Sequence, residues 1–404
     1  MNKFKVIPAR IYQRLLFLAS NLMNFREPKI VSGPNSVLRI PEVLKENGFN
    51  DTLIITDESI FSLGLVNPLI EELKKQNIRF DVYHHVVANP TISNVEEGLE
   101  IFNKGGFHSI VGFGGGSALD CAKLVSARAS NLSKPISKMK GVLHVSHKLK
   151  FLIAVPTTAG TGSETTVAAV VVDDATRYKY SVNDPKLIPP YAILDPTLLV
   201  GLPKGITSTT GMDALTHAIE AYIGFSNVKK TRKNALDATK LIVDNLEKSY
   251  LNPTDLSYRN NMQLAAYKAG VAFTRAYVGY VHAIAHALGG KYNLPHGLAN
   301  AVILPIVLKE YDHKIDNRLA ELGDYAGITY KSDTKEVKAK MFIDYIINTN
   351  KAMNIPSDFK DIIKDEDIPL MVEHAYKEAY PLYPSPKMFN KEELTKLFKK
   401  VKGE

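Results

Sequence analysis

The sequence has almost no thiol chemistry available, because it contains one cysteine, Cys121, among 404 residues. A single thiol cannot form an intramolecular disulfide, and it excludes zinc or iron–sulfur sites that need several cysteines. Such low cysteine use fits a reducing compartment, so we expect a cytoplasmic protein. A metal site in this chain would have to use imidazole and carboxylate ligands.

Long hydrophobic runs are also missing. The apolar segment 11–20 is short and contains Arg14, so it is below the roughly 18 residues that span a bilayer. No small-residue cleavage site marks it as a signal peptide. We expect no membrane span, and we predict an amphipathic helix packed on the protein or on a neighbouring subunit of a homo-oligomer.

A concentrated basic surface is missing as well, although the net charge is +8. The basic residues are scattered among 42 acidic ones, and no nucleic-acid-binding motif is present. We therefore expect no nucleic-acid partner and interpret the excess charge as a solvated surface.

The length predicts two domains. In the first half, buried-strand patterns alternate with helical ones, which is typical of a doubly wound parallel sheet, and segments 167–173 and 179–182 predict a hairpin. From residue 204 strand signals nearly vanish, and helical patterns recur, one of them running over 259–288. The predicted fold class is α/β plus all-α. A Rossmann-like domain spans 1–203, including a helical extension over 1–28, and an all-helical domain spans 204–404.

Two loops of the first half have the composition of a phosphate-binding site. Residues 114–117, three glycines and a serine, follow a predicted strand and open a helix. Glycines allow a ligand to approach the backbone, and the N–H groups at a helix start favour phosphate. Residues 156–164, rich in threonine and glycine, follow the next strand. Neither loop is a GxGxxG fingerprint or a P-loop, and each taken alone could be a plain turn.

Asp213 and four of the chain's eleven histidines lie between residues 211 and 300. Asp213 and His217 are four apart, so on a helix they share one face. His282, His286 and His296 follow. This set indicates a divalent-metal site without thiolate. Spacing does not choose between His282 and His286 as ligand. Because the glycine loops lie in the first half, we expect the active site in the cleft between the domains.

These segments together resemble the iron-containing (group III) alcohol dehydrogenases, whose superfamily also includes glycerol dehydrogenase and dehydroquinate synthase. The matching segments are Asn89-Pro-Thr, 114–120, 156–164, 211–220 and 282–300. They run in the family's order over most of residues 29–310. The resemblance implies a dehydroquinate synthase-like fold and a metal-dependent, NAD(P)-linked oxidoreductase that transfers hydride reversibly between a primary alcohol and its aldehyde.

The resemblance also implies roles for individual residues. It assigns the metal to Asp213, His217, His282 and His296, and it places His286 beside the substrate as a catalytic residue. The metal would be Fe(II), with Zn(II) compatible by ligand type. The residues implied in cofactor binding are Asp57, Asn89, Gly114, Gly115, Gly116, Ser117, Asp120, Thr157, Thr158, Thr161, Lys179 and Leu198.

Asp57 predicts the choice of dinucleotide. It ends the first strong strand, where a carboxylate accepts hydrogen bonds from the adenosine ribose and repels a 2′-phosphate. We therefore predict that NAD is preferred over NADP; the alternative is that Asp57 only caps the following helix.

Other activities stay open at this point. Glycerol or polyol oxidation and hydroxyacid–oxoacid transhydrogenation occur in the same superfamily. A dehydroquinate-synthase-like lyase would need additional basic residues for a phosphorylated sugar acid. A catalytically inactive scaffold is disfavoured by the intact ligand pattern.

Overall fold

The computed structural model describes residues 3–21, 23, 25–176 and 178–404. The chain divides into two compact units. The first, called the α/β unit below, is Asn24–Gly201 with Thr254–Gln263. The second, called the helical unit, is Met1–Met23, Leu202–Pro253 and Leu264–Glu404. The N-terminal helix thus groups with the helical unit.

The described residues of the α/β unit include nine strands, which form two sheets. In chain order they are β1 Lys29–Ser32, β2 Asp51–Asp57, β3 Arg79–Val86, β4 Ser109–Gly114, β5 Gly141–Val142, β6 Phe151–Pro156, β7 Ala168–Val172, β8 Lys179–Asn183 and β9 Tyr191–Leu194. The larger sheet has the order β1-β9-β6-β4-β2-β3, and all of its pairings are parallel. The smaller sheet contains the predicted hairpin, in which β7 and β8 pair antiparallel.

Fifteen α-helices lie among the described residues. They are α1 Lys3–Asn21, α2 Ile40–Glu46, α3 Glu58–Ser62, α4 Asn67–Lys75, α5 Ile92–Lys104, α6 Gly116–Ser130, α7 Lys204–Ile223, α8 Lys229–Leu251, α9 Leu256–Ala276, α10 Tyr280–Tyr292, α11 His296–Tyr311, α12 Asp316–Ala326, α13 Lys335–Ala352, α14 Ile368–Ala379 and α15 Lys391–Lys402. Every described element after residue 204 is helical. The predicted fold class, a parallel-sheet unit and a helical one, is confirmed.

The order of the central strands of the larger sheet shows at which edge a ligand can bind. Strands β2, β4 and β6 are buried along nearly their whole length, as expected for parallel strands covered on both faces. From β2 the chain runs outward to β3, and then returns to the other side of β2 at β4. This reversal puts a switch point between the carboxyl ends of β2 and β4, where ligands of such sheets bind. Asp57 and Gly114 end these two strands.

Helix α1 is amphipathic, as predicted. Gln13 is buried, and its amide donates to the carbonyl oxygens of Tyr383 at 2.8 Å and Pro381 at 2.7 Å. The opposite face exposes a stripe of apolar side chains, Ile7, Ile11, Leu15 and Leu18. None of the helices in the described residues is apolar over a length that could traverse a bilayer. The predicted homo-oligomer stays a prediction.

The single helix predicted over 259–288 is wrong. Two helices occupy this stretch, and α9 ends at Ala276 before α10 begins at Tyr280. Between them Tyr277 has a left-handed φ of 66°. The backbone N–H groups of Gly279 and Val281 donate to the carboxylate of Glu220 at 2.7 and 2.8 Å. A side chain far away in sequence thus supplies the acceptors that start α10, and local periodicity cannot reveal it.

Candidate active site

Helix α7 holds the first two residues of the candidate metal site. Every residue from Gly211 to Ile223 is buried, as expected of a helix that is covered on all sides. Its neighbours come close because glycines leave room. A Cβ on Gly211 would lie 2.2 Å from Leu246 Cδ1 on α8, and one on Gly297 would lie 2.5 Å from the Thr209 carbonyl oxygen. The second contact brings the start of α11, with His296, against α7.

The structure brings Asp213, His217, His282 and His296 together. One ligand atom from each lies within 4.8 Å of all the others. From Asp213 Oδ1, the distances are 3.5 Å to His296 Nε2, 3.9 Å to His282 Nε2 and 4.0 Å to His217 Nδ1. Tetrahedral metal–ligand bonds of about 2.0–2.2 Å place ligand atoms about 3.3–3.6 Å apart. The four side chains therefore form a candidate metal site with nearly the spacing that an ion requires.

The side chain of Asn300 marks the point on which these atoms converge. Its Nδ2 lies 2.7 Å from Asp213 Oδ1, 3.1 Å from His296 Nε2 and 3.2 Å from His282 Nε2. The amide N–H groups of Asn300 face the lone pairs of these three ligand atoms, which would otherwise face and repel one another. These distances exceed metal–ligand bond lengths, so the amide would have to move to admit an ion.

His282 is oriented by Glu220. Its Nδ1 is 2.6 Å from Glu220 Oε2, so Nε2 faces the other three donor atoms. Both side chains are 3% exposed or less. Burial, and then the neighbouring His217 and His296, hold the pKa of His282 well below its usual value, which keeps a neutral imidazole. Burial raises the pKa of Glu220 to about 7, against the lowering effect of the N–H groups that it accepts. In many metal sites a carboxylate bonds to the ring nitrogen of a histidine that does not bind the metal, and this contact fixes the tautomer of the histidine.

His286 lies beside this set rather than in it. Its ring centroid is 5.9 Å from that of His282 and 5.1 Å from that of His296. Its Nδ1 is 2.6 Å from Glu378 Oε1, which also accepts a hydrogen bond from Tyr383. Burial raises the pKa of Glu378, but the contacts with His286 and Tyr383 outweigh it and lower the pKa overall. The geometry thus favours His282 over His286 as a member of the ligand set.

The site is open on one side. The side chains of His286 and His296 are 41% and 40% exposed, whereas those of Asp213, His217 and His282 are 6% exposed or less. His217 is further enclosed by Phe273, whose ring stacks on it at 4.0 Å. The exposed edges of His286 and His296 are therefore a place where a small molecule can approach the ligand set.

The glycine and threonine loops meet at the carboxyl edge of the sheet. Gly114 pairs with Pro156 in register, and the Thr157 N–H donates to the Gly114 carbonyl at 3.1 Å. Gly114 has φ +148°, which only glycine adopts readily, and a Cβ on Gly116 would lie 3.1 Å from Thr161. Helix α6 starts directly after this turn. Thr158 also meets the glycine loop, because a Cβ on Gly115 would lie 3.7 Å from its Cγ2. The structure thus brings together Gly114, Gly115, Gly116, Thr157, Thr158 and Thr161.

Three other predicted cofactor residues form a second group. Lys179 Nζ donates to Asn89 Oδ1 at 2.6 Å, and the Asn89 N–H donates to Ser117 Oγ at 3.1 Å. A lysine near the helix start would favour an anionic ligand. Leu198 is buried in a 3₁₀ turn after β9.

The side chain of Asp120 contacts the threonine loop and strand β7. Its carboxylate accepts hydrogen bonds from Ser163 Oγ at 2.7 Å and from the Val170 N–H at 2.9 Å. The neighbouring Lys123 is fully buried and donates to Ser163, Thr166 and Ala168. Burial lowers the pKa of Lys123 to about 8, against the raising effect of Asp120 and Glu164. Asp120 and Lys123 tie the threonine loop to α6.

Asp57 caps a helix with one of its two carboxylate oxygens. Its Oδ1 accepts from the Ile60 N–H at 3.0 Å at the start of α3. Its Oδ2 lies 3.3 Å from the position that a Cβ on Gly114 would take. The carboxylate therefore borders the glycine loop while it caps α3, so the two interpretations of Asp57 are compatible.

Several residues that contact the predicted set were not identified from the sequence, among them Glu220, Asn300, Glu378 and Lys123. Three of these four had a signal in the sequence. Glu220 follows His217 by three positions, Asn300 follows His296 by four and Lys123 follows Asp120 by three, so each shares a helical face with a predicted residue. Glu378 had no signal that separates it from surface charges.

Comparisons with known proteins identify the family. The family model for iron-containing alcohol dehydrogenase matches residues 27–196, and the model for the C-terminal part of the Fe-containing alcohol dehydrogenase family matches residues 207–402. Alcohol dehydrogenase 4 of Schizosaccharomyces pombe is 37% identical over 348 residues, which are 86% of this chain and 81% of that protein.

Two further relatives cover a similar share. The NAD-dependent methanol dehydrogenase of Bacillus methanolicus is 35% identical over 356 residues, 88% of this chain and 93% of that protein. The solved alcohol dehydrogenase from Oenococcus oeni superposes with a TM-score of 0.89 at 35% identity, covering 94% of this chain and 99% of that one. The chain therefore belongs to the iron-containing alcohol dehydrogenase family.

Proposed function

We propose that this chain interconverts a small primary alcohol and its aldehyde, with NAD as the hydride carrier and a divalent metal held by Asp213, His217, His282 and His296. The observation that carries the proposal is the convergence of these four donor atoms within 4.8 Å of one another. The side-chain amide of Asn300 donates a hydrogen bond to Asp213 at this place. The resemblance to a methanol dehydrogenase that is NAD-dependent supports the substrate class and the coenzyme.

The donor set fits a divalent metal of the borderline class. Three neutral imidazoles and one carboxylate suit Fe(II) or Zn(II), and the absence of thiolate disfavours softer ions. When bound, the metal supplies Lewis acidity that lowers the pKa of an alcohol or polarises a carbonyl. We propose Fe(II) because of the family, although the Irving–Williams order favours Zn(II) at equal supply.

The chain's own residues prepare this site. Glu220 holds the Nδ1 side of His282, so that the lone pair of Nε2 faces the ligand set. Asp213 contributes the negative charge that partly balances a divalent cation. Because these groups are buried and fixed, their orientation does not have to be acquired during the reaction.

We propose His286 as the residue that moves a proton to or from the reacting oxygen. Its ring is held by Glu378 through Nδ1 and stands at the open side of the set. An imidazole exchanges protons near neutral pH, and a fixed ring reduces the reorganisation that each transfer requires.

The α/β unit would hold the dinucleotide. The N–H groups at the start of α6, behind the turn at Gly114, suit a pyrophosphate, and Lys179 adds a positive charge nearby. Asp57 would accept hydrogen bonds from the adenosine ribose and repel a 2′-phosphate. Thr157, Thr158 and Thr161 offer hydroxyl groups beside the same turn.

The test uses protein stripped of metal and reloaded anaerobically with Fe(II) or Zn(II). We expect added aldehyde to consume NADH only when a metal is present. Asp213→Asn should lose both metal and turnover, whereas Asp361→Asn, which changes an exposed aspartate, should keep both. Full turnover by metal-free protein would refute the metal's role. Turnover confined to glycerol and other polyols, or exchange only between hydroxy and oxo acids, would replace the proposed substrate.

A further inference from the structure

A second group of metal-ligating side chains lies in the α/β unit. Glu58, His84 and His85 each place one ligand atom within 4.8 Å of the other two. Glu58 opens α3, directly after β2, and the two histidines lie near the carboxyl end of β3. Because β2 and β3 are parallel neighbours, these ends meet at the same edge of the sheet.

Both imidazoles face the same carboxylate oxygen. Glu58 Oε2 is 2.7 Å from His84 Nδ1 and 3.9 Å from His85 Nδ1. Ligand atoms around a zinc ion with bonds of about 2.0–2.2 Å are about 3.3–3.6 Å apart. The two observed distances bracket this value, so small rotations of exposed side chains would complete the geometry.

Neighbouring groups hold the three side chains in these orientations. The ring of Phe61 stacks on His84 at 4.1 Å with 8° between the planes. Ser62 Oγ donates to Glu58 Oε1 at 2.9 Å, which leaves Oε2 directed at the histidines. The rings of His84 and His85 are themselves 4.1 Å apart. Contacts of this kind orient ligands in established metal sites.

An ordinary ion pair does not account for the second imidazole. Exposed ion pairs contribute only about 0–1 kcal/mol, and one histidine would satisfy this carboxylate oxygen. Two imidazole nitrogens directed at one carboxylate oxygen offer three ligand atoms to a single cation. The arrangement therefore favours a metal ion over a simple ion pair.

We propose that Glu58, His84 and His85 bind one transition-metal ion of the zinc class, separately from the ligand set around Asp213. Two nitrogen donors and one oxygen donor suit Zn²⁺, Co²⁺ or Ni²⁺, whereas Ca²⁺ and Mg²⁺ need oxygen donors. Glu58 is 62% and His85 64% exposed, so water or an anionic ligand would complete the coordination. Glu58 follows Asp57 directly, so the ion would lie at the nucleotide-binding edge of the sheet.

Zinc itself is the probe. The protein is loaded with Zn²⁺, freed of excess ion by gel filtration, and titrated with Zn²⁺ against a fluorescent indicator of micromolar affinity. We expect the unchanged chain to bind one zinc ion per chain more than the double variant His84→Asn and His85→Asn. Glu58→Gln should weaken the additional ion at least tenfold. His147→Asn, which changes another exposed imidazole of the same unit, should bind as the unchanged chain does.

A second measurement guards against a folding artefact. Anomalous diffraction at the zinc edge should show a peak between Glu58 and the two histidines, in addition to one near Asp213. The unchanged chain and the double variant should keep the same zinc content at the Asp213 set and, without zinc, the same melting temperature. Equal stoichiometry in the two proteins, or an anomalous map without a peak at Glu58, overturns the proposal.

Discussion

Replacing Glu220 by glutamine tests whether a buried carboxylate outside the ligand set controls the metal site. Oε2 of Glu220 accepts from the Gly279 N–H at 2.7 Å and from His282 Nδ1 at 2.6 Å, and Oε1 accepts from the Val281 N–H at 2.8 Å. Glutamine has one acceptor oxygen of the same size. Its NH₂ group must face at least one of these donors, whichever way the amide turns.

The magnitude follows from these three contacts. One buried donor left unpaired costs about 1–3 kcal/mol of folding stability. Loss of the carboxylate behind a metal-binding histidine lowers metal affinity about 10–100-fold, which is about 1.4–2.7 kcal/mol. Since Glu220 also starts α10, both effects come from one substitution.

The assay is metal affinity by competition with a fluorescent chelator, combined with thermal unfolding of apo and loaded protein. Gly279→Ala tests the position of the Glu220 carboxylate without removing its charge. The added Cβ would lie 2.6 Å from Glu220 Oε1 and would displace a carboxylate that is still ionisable. Glu366→Gln, at an exposed glutamate, controls for the loss of one charge. A folded Glu220→Gln protein that binds metal as tightly as the unchanged chain would refute the reasoning.

Four further outcomes are expected. Asp57→Asn keeps the cap of α3 but removes the charge, so kcat/KM with NADPH should rise relative to that with NADH; an unchanged ratio contradicts the assignment. His286→Asn should lower turnover by roughly 10²–10⁴-fold while metal content, measured by plasma emission, stays the same. Asn300→Ala leaves the donor atoms of Asp213 and its neighbours facing one another in apo protein, so calorimetry should show a larger metal-induced rise in Tm. In the folded chain, burial lowers the pKa of Lys123 to about 8 from its ordinary value of 10.5. Between these two pH values the unfolded chain binds more protons than the folded chain. The folded state therefore gains stability as the pH rises through this range, by at most about 1.4 kcal/mol per pH unit. Urea unfolding should show this gain in the unchanged chain but not in Lys123→Met, and parallel pH profiles would contradict it.

The central strands and most helices were predictable, because their apolar patterns are set by burial on both faces of a sheet or around a helix. Strands β7 and β8 likewise lie at the segments 167–173 and 179–182 that were predicted as a hairpin. The exception at residues 277–279 has a clear cause. The N–H groups of Gly279 and Val281 bond to Glu220, and a contact between residues about sixty positions apart leaves no trace in local periodicity.

The sequence by itself determined the family, the two-part fold and the residues of the candidate site, because motifs with fixed spacing specify which side chains are available. Spacing left His282 and His286 equivalent, since both lie on one helical face, and only the family resemblance assigned the metal to His282. The tertiary structure gives the physical reason, because Glu220 turns His282 toward Asp213 and Glu378 holds His286 at the open side. The structure alone brought Glu58 to His84 and His85. Convergence of ligand atoms depends on distances between elements remote in the chain, and packing rather than spacing decides those distances.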